Sequence, residues 1–320
     1  MKESIKVSHQ SQVHGVMGID VGDRWSHVCL LDLNSGEVLE ESRVRTTPED
    51  VRRRFAGQRC LRIALEVGKH SPWMSRLLVE LGHEVIVANP RKVRLIWENR
   101  KKRDKIDARY LARLARLDPE LLHPVEHRSE RAQVDLAVLR SRAALVKVRT
   151  ELINHVRGAV KSLGHRLPKC DAKQFGKRMS EALPEPMRPA LAGVVETIAR
   201  LTQQITAYDR QLATLARSRY PETALLTQVG GVGELTALAY RLVLDDPARF
   251  PRSRTVGAYL GLVPAANDSG DTVAQLRISI GSGGRHGRRF LRGDADRLLA
   301  HSDQLGAEKS SLAARRPDGF

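Results

Sequence analysis

A chain of 320 residues with 41% hydrophobic content is long enough for two or three modest domains with real cores, which excludes a wholly disordered tail. Its formal net charge of +17 and pI near 10.3 make nucleic acid the leading partner, because a folded polycation attracts polyanions and speeds their encounter. No apolar run approaches the roughly 18 residues of a spanning helix, no signal-peptide pattern opens the chain, and Cys29, Cys60 and Cys170 form no Cys-x-x-Cys pair, so the expectation is a cytoplasmic, nucleoid-associated protein without zinc knuckle or disulfide framework.

In chain order, Val16 to Ile19, Ser26 to Leu33 and Val38 to Val44 are apolar runs, with Asn34-Ser35-Gly36 as a turn signal between the last two. They predict a three-stranded meander. Pro48 opens a helical stretch through Phe55; Leu61 to Val67 reads as a strand, Pro72 to Leu81 as a helix and His83 to Ala88 as a strand. Three strands, helix, strand, helix, strand, helix is the order of a ribonuclease-H-like α/β domain, expected over residues 1–125. A doubly wound nucleotide-binding domain would carry Gly-x-Gly-x-x-Gly after the first strand, and none is there.

From Arg91 to Leu117 the chain is helical in pattern and densely basic. Arg91, Lys92, Lys101, Lys102, Arg103 and Lys105 are its candidate contacts to nucleic acid. Residues 130–163 carry apolar residues at spacings of three and four, and Leu191 to Leu215 repeats the pattern. Joined by the segment around Pro184, Pro186 and Pro189, they predict an antiparallel coiled-coil arm over residues 126–220, with an ordinary helical hairpin packed on the core as the alternative.

After Pro221 the composition shifts to small residues and glycine. Gly230-Gly231-Val232-Gly233 lies between helical stretches at Leu225 to Gln228 and Leu235 to Leu244, a helix-hairpin-helix-like arrangement in a mainly helical C-terminal domain, residues 221–320. Gly231 and Gly233 are expected to present backbone N–H groups to a phosphate, although glycines also connect helices for steric reasons alone.

The acids carry the chemistry. Asp20 ends the first strand in Gly18-Ile19-Asp20-Val21-Gly22, where flanking glycines let backbone or a phosphate come close, and Glu66 ends the fourth in Ala64-Leu65-Glu66-Val67-Gly68. Asp104 and Asp107, three apart, share a helix face in the basic stretch. Four converging carboxylates repel unless cations neutralise them, and hard oxygen ligands in that number suit Mg²⁺ or Mn²⁺ for phosphodiester chemistry. Intrahelical ion pairing is the plainer role for Asp104 and Asp107.

These residues resemble the DEDD transposases of the insertion sequence 110 family, bridge-RNA-guided recombinases with a RuvC-like domain. The matching motifs are Gly-Ile-Asp-Val-Gly at 18–22, Ala-Leu-Glu-Val-Gly at 64–68, Asn89-Pro90-Arg91, Lys102-Arg103-Asp104-Lys105-Ile106-Asp107-Ala108, Val229-Gly230-Gly231-Val232-Gly233, Tyr259-Leu260-Gly261-Leu262-Val263-Pro264 and Asp268-Ser269-Gly270. The resemblance implies a metal site of Asp20, Glu66, Asp104 and Asp107 holding Mg²⁺, a C-terminal transposase domain with Ser269 as nucleophile, and a homo-oligomer, dimer or tetramer. It also implies a noncoding guide RNA that pairs with donor and target DNA. Arg277, in Arg277-Ile278-Ser279, is a further candidate contact to nucleic acid.

The sequence departs from the family's pattern at Ile280, where a lysine is expected, and continues through Gly281-Ser282-Gly283-Gly284 into a polar stretch. A truncated or frame-shifted, inactive copy is the corresponding expectation. Other function classes remain open at this point: a RuvC-like structure-specific endonuclease using the same acids, a non-catalytic nucleic-acid-binding protein, and an actin-like ATPase, which the lack of a second glycine-rich phosphate loop disfavours.

Overall fold

A computed structural model describes residues 13–89, 104–250 and 252–260, and the chain divides into two compact units, Met1–Glu130 and Arg131–Phe320. The first unit is built on a five-stranded sheet: β1 (Val16–Asp20), β2 (Trp25–Leu31), β3 (Val38–Arg45), β4 (Arg62–Glu66) and β5 (Glu84–Ala88). Its order is β3-β2-β1-β4-β5, with β1–β2 and β2–β3 antiparallel and β1–β4 and β4–β5 parallel. The N-terminal part is therefore a mixed-sheet α/β domain, as the element order predicts.

Pleat alternation sends successive side chains to opposite faces. On one face Met17, Ile19, Val28, Ile63 and Leu65 pack with Val51 and Phe55 of α1 (Pro48–Phe55) and Met74 and Leu78 of α2 (Ser71–Glu80). On the other, Val16, Ala64 and Ile86 meet Leu111 and Ala115 of α3 (Asp104–Leu117), while Cys29 and Leu31 meet Ala108 and Ala112 of the same helix. The start of α1 follows from its residues: Thr47 Oγ1 accepts the Asp50 N–H at 3.2 Å, Pro48 needs no donor in the first turn, and Glu49 and Asp50 sit at the positive helix end.

The described part of the second unit is helical. Helices α4 (Glu130–Lys161) and α6 (Arg188–Arg219) run antiparallel, with α5 (Phe175–Ala182) between them in sequence. Near one end Ala132, Leu136 and Leu139 pack with Leu212, Ala216 and Tyr220, and towards the other Ile153, Val156 and Val160 pack with Leu191, Val195 and Ile198. Between these cores lies a polar layer, in which Arg142 Nε donates to Asp209 Oδ1 at 2.8 Å and the buried Arg149 donates to Thr202 Oγ1 at 3.4 Å. The segment joining the long helices is more than the proline-rich link expected from sequence: α5 packs Phe175 and Met179 into the second core, and Gly176 lies against Ala199, where a Cβ would come within 2.6 Å.

Among the described residues the remaining α-helices are α7 (Thr223–Leu226), α8 (Glu234–Leu244) and α9 (Ser253–Leu260). Leu238, Ala239, Leu242 and Leu260 join the core at the Tyr220 end of the long pair. Buried Asp135 ties this core together, accepting the Tyr220 hydroxyl at 2.7 Å and Arg219 Nη1 at 2.9 Å. Burial, and then the Asp135 carboxylate, push the Tyr220 phenol up to about 12. A raised tyrosine means that the stability resting on the neutral phenol is fully present below its ordinary value of 10.0 and is lost as pH rises through about 12. Tyr220→Phe, which leaves Asp135 short of a donor, is expected to cost about 1–3 kcal/mol at neutral pH and to remove that alkaline component; denaturant titrations of both proteins at neutral and alkaline pH would measure each effect.

Candidate active site

The carboxyl ends of β1 and β4 lie side by side. Their ladder pairs Gly18 with Ala64 and Ile19 with Leu65, so the next residues outward are Asp20 and Glu66. Because Ile19 and Leu65 point into the α1/α2 core, Asp20 and Glu66 face the α3 side, and both are half-buried.

Helix α3 is brought onto this end by a glycine. A Cβ at Gly18 would stand 1.9 Å from the Ala108 carbonyl oxygen and 2.6 Å from the Ala112 nitrogen, so only the missing side chain lets the helix backbone rest on β1. Two contacts fix its direction: Arg62, at the start of β4, donates to the Ala115 carbonyl at 3.4 Å, and Arg116 donates to the Asn34 carbonyl in the β2–β3 turn at 2.9 Å. The end of α3 thus lies at the opposite end of the strands, and its first turn points to Asp20 and Glu66. Asp107 is in that turn, half-buried, directly before Ala108.

Asp104 opens α3, while its side chain lies outside the described residues. Asp20, Glu66 and Asp107 each engage a partner. Among the described residues no three acidic, histidine or cysteine side chains are gathered closely enough to hold a metal ion. Residues 91–103 and 261–320 also lie outside the described part, and with them Arg91, Lys92, Lys101, Lys102, Arg103, Ser269 and Arg277; the same holds for the side chain of Lys105. Gly231 turns the chain ahead of α8 with φ of +88°, and Gly233 caps that helix.

Several neighbours of the acids escape a reading of motifs. His27 is the direct cross-strand partner of Asp20, and Arg43 that of His27. One step along, Trp25 pairs with Arg45. Strand alternation is the signal that finds them, once Asp20 has been assigned a face. Beside them Arg109 of α3 donates to Glu41 Oε1 from Nε at 2.8 Å and Nη2 at 2.7 Å, a bond that pushes its guanidinium pKa up, while burial pushes the Cys29 thiol up. In the loops that follow the acids, His70 Nε2 stands 3.5 Å from Asp23 Oδ1, and Trp73 Nε1 donates to His70 Nδ1 at 3.1 Å. Ser71 Oγ, bonded to both the Gly68 N–H and carbonyl, lies 2.9 Å from His127 Nε2 and pins the loop after Glu66.

Residues 17–164 match the family model of the IS110 DEDD transposases, and residues 223–302 match the model described as the transposase IS116/IS110/IS902 family. The chain belongs to the IS110 family of transposases. Among curated proteins, this transposase is similar to the transposase for insertion sequence element IS1111A of Coxiella burnetii, 27% identical over 82% of this chain and 72% of the relative. It is likewise similar to a probable family 20 transposase of Pseudomonas aeruginosa, 29% identical over 88% of this chain and 77% of the relative. The transposase for insertion sequence element IS1328 of Yersinia enterocolitica is 28% identical over 86% of this chain and 81% of its own length. Family membership makes the chain a DNA-binding enzyme that cleaves and rejoins DNA, and it implies dependence on a divalent metal. Among the described residues no helix is long and apolar enough to cross a membrane.

Proposed function

We propose that this transposase moves an insertion sequence by metal-dependent strand cleavage and rejoining, with Asp20, Glu66, Asp104 and Asp107 as the acids that hold the metal. The observation that carries the reading is the seating of α3 on Gly18, which turns the helix start bearing Asp107 towards the paired strand ends bearing Asp20 and Glu66. An all-oxygen donor set of this kind suits a hard cation, Mg²⁺ or Mn²⁺. When bound, the ion would polarise phosphate oxygens and offset the charge that builds up as a phosphodiester is exchanged.

In this reading residues 1–125 form a ribonuclease-H-like, RuvC-like domain; the sheet order, with three antiparallel strands followed by two parallel ones, supports it. Residues 126–220 form a coiled-coil arm that serves a dimer or tetramer, and residues 221–320 form the transposase domain that supplies Ser269. The Gly230 to Gly233 turn would contact the DNA backbone, as would Arg91, Lys92, Lys101, Lys102, Arg103, Lys105 and Arg277. A noncoding RNA would choose the DNA by base pairing, and the net charge of +17 suits two nucleic-acid partners.

The chemistry is an exchange of phosphate esters. Ser269 Oγ bonds to phosphorus, the bridging bond from phosphorus to one deoxyribose oxygen breaks, and the serine proton ends on the released hydroxyl; rejoining runs the exchange backwards with a new strand. The test uses the full chain and whatever RNA copurifies from its native host. A protein–DNA adduct stable in a denaturing gel is expected with Mg²⁺ and lost in EDTA or in Ser269→Ala. An adduct that persists in Ser269→Ala would remove the serine from the mechanism, and cleavage unaffected by EDTA would remove the metal.

A further inference from the structure

The face that carries Asp20 continues across β2 and β3 as a strip of unusual composition. In register beside Asp20 stand His27 and then Arg43, and in the next row Trp25 and Arg45. All four share the α3 face, because their neighbours Ser26, Val28 and Val44 are buried on the other side. Helix α3 covers Cys29 and Leu31 further along β2 and leaves this end open: Trp25 remains 39% exposed, an uncommon state for an indole in a sheet, and Arg43 and Arg45 are exposed too.

The two guanidiniums do not serve the fold as their neighbours do. Arg52, Arg54, Arg62, Arg76 and Arg109 of the same unit each meet a carboxylate. Arg43 and Arg45 form no ion pair with a described residue and lie instead over the Trp25 ring, 4.6 and 5.3 Å from its centroid. An exposed indole stacked by two uncompensated cations attracts a ligand that is both planar and anionic. A depression of about 280 Å³ beside the strip, lined by His27, Glu41 and Arg43 among others, leaves room for one nucleobase.

We propose that this strip is a binding site for single-stranded DNA, which holds the strand to be cut one or two nucleotides from the break, with a base stacked on the Trp25–arginine pile and the flanking phosphates paired with Arg43 and Arg45. The commitment to DNA comes from position. Arg43 is two strand spacings from Asp20, roughly 10 Å, so whatever passes Asp20 for cleavage must continue over His27 or away from it, and among the described residues the His27 side offers an exposed indole flanked by cations that pair with no described carboxylate. The inference rests on the reading of Asp20 and its partners as the cleavage site, but the binding it describes needs neither metal nor cleavage.

The experiment is therefore done in EDTA, with full-length protein and a fluorescein-labelled oligodeoxythymidylate followed by anisotropy. Loss of one base stack corresponds to an affinity about five- to 150-fold weaker, expected for Trp25→Ala and largely rescued by Trp25→Phe. Arg43→Ala with Arg45→Ala is expected to flatten the dependence of log affinity on log salt by about 0.7 for each phosphate that is no longer neutralised. Since a variant could lose affinity through misfolding, the unmodified protein is also cross-linked to 5-iododeoxyuridine DNA, where the adduct should map to the Trp25 peptide. Unchanged affinity and salt slope in these variants, or cross-links that avoid β2 and β3, would overturn the proposal. A greater loss for oligouridylate than for DNA would overturn its assignment to a DNA strand. If Asp20→Ala left cleavage intact while Trp25→Ala still weakened DNA binding, the cleavage reading would fall and the strip would stand.

Discussion

Replacing Gly18 with alanine is expected to cost at least about 3 kcal/mol, the upper end of what overpacking a core usually costs, and to abolish DNA cleavage with it. The added methyl would lie 1.9 Å from the Ala108 carbonyl oxygen and 2.6 Å from the Ala112 nitrogen. Both are backbone atoms inside a helix, so no rotamer change relieves the clash and α3 must lift from β1. Lifting it uncovers Val16, Cys29, Leu31, Ala64 and Ile86, and it carries Asp107 away from Asp20 and Glu66. Gly68, near the end of the neighbouring strand β4, is the control: a Cβ there meets no described residue within 4 Å, so Gly68→Ala is expected to keep wild-type stability. Denaturant midpoints of both variants, read with strand cleavage, test this. Wild-type stability and cleavage in Gly18→Ala would show that α3 does not need its seat on β1.

The same glycine shows how much of the site was legible in the sequence. Two glycines around Asp20 predict that something approaches closely, and backbone does at both: the helix at Gly18 and the Trp25 carbonyl at Gly22, where a Cβ would stand 2.2 Å from the oxygen. Which backbone arrives at Gly18 could not be read, because Ala108 is ninety residues away and nothing local records the pairing. Strand and helix runs were legible, since burial on one face or both imposes periods of 2 and 3.6 on the apolar residues. The order β3-β2-β1-β4-β5 was not legible in the sequence, because strand order is set by long-range packing. Helix α5 was hidden for a different reason: its eight residues give too short a period, and the nearby prolines signal a link. His27, Arg43 and Trp25 were hidden because alternation marks them as facing Asp20 only after register is known, and the sequence alone does not fix register.

Alanine at Asp20 or Glu66 is expected to lower the strand-cleavage rate by about a thousand-fold or more, while nucleic-acid affinity stays the same or rises. A metal positioned by the acids contributes several kcal/mol at the transition state, and each 1.36 kcal/mol is about a factor of ten in rate. Affinity should not follow, because each lost carboxylate also removes a negative charge from a surface that must accept phosphates, and the exposed cations of Arg43 and Arg45 remain in place. Asp107→Ala should behave like Asp20→Ala, since α3 aims its first turn at the same strand ends, and Asp104→Ala should do so if both acids of that helix face serve the metal. The two pairs can be told apart by Mn²⁺ or Mg²⁺ titration: a weakened but surviving site shifts the metal concentration needed for half-maximal cleavage upward, whereas an acid that only pairs with neighbouring arginines leaves that concentration unchanged. Full cleavage at an unshifted metal concentration in Asp104→Ala and Asp107→Ala would return both residues to ion-pair partners and leave Asp20 and Glu66 as the catalytic acids.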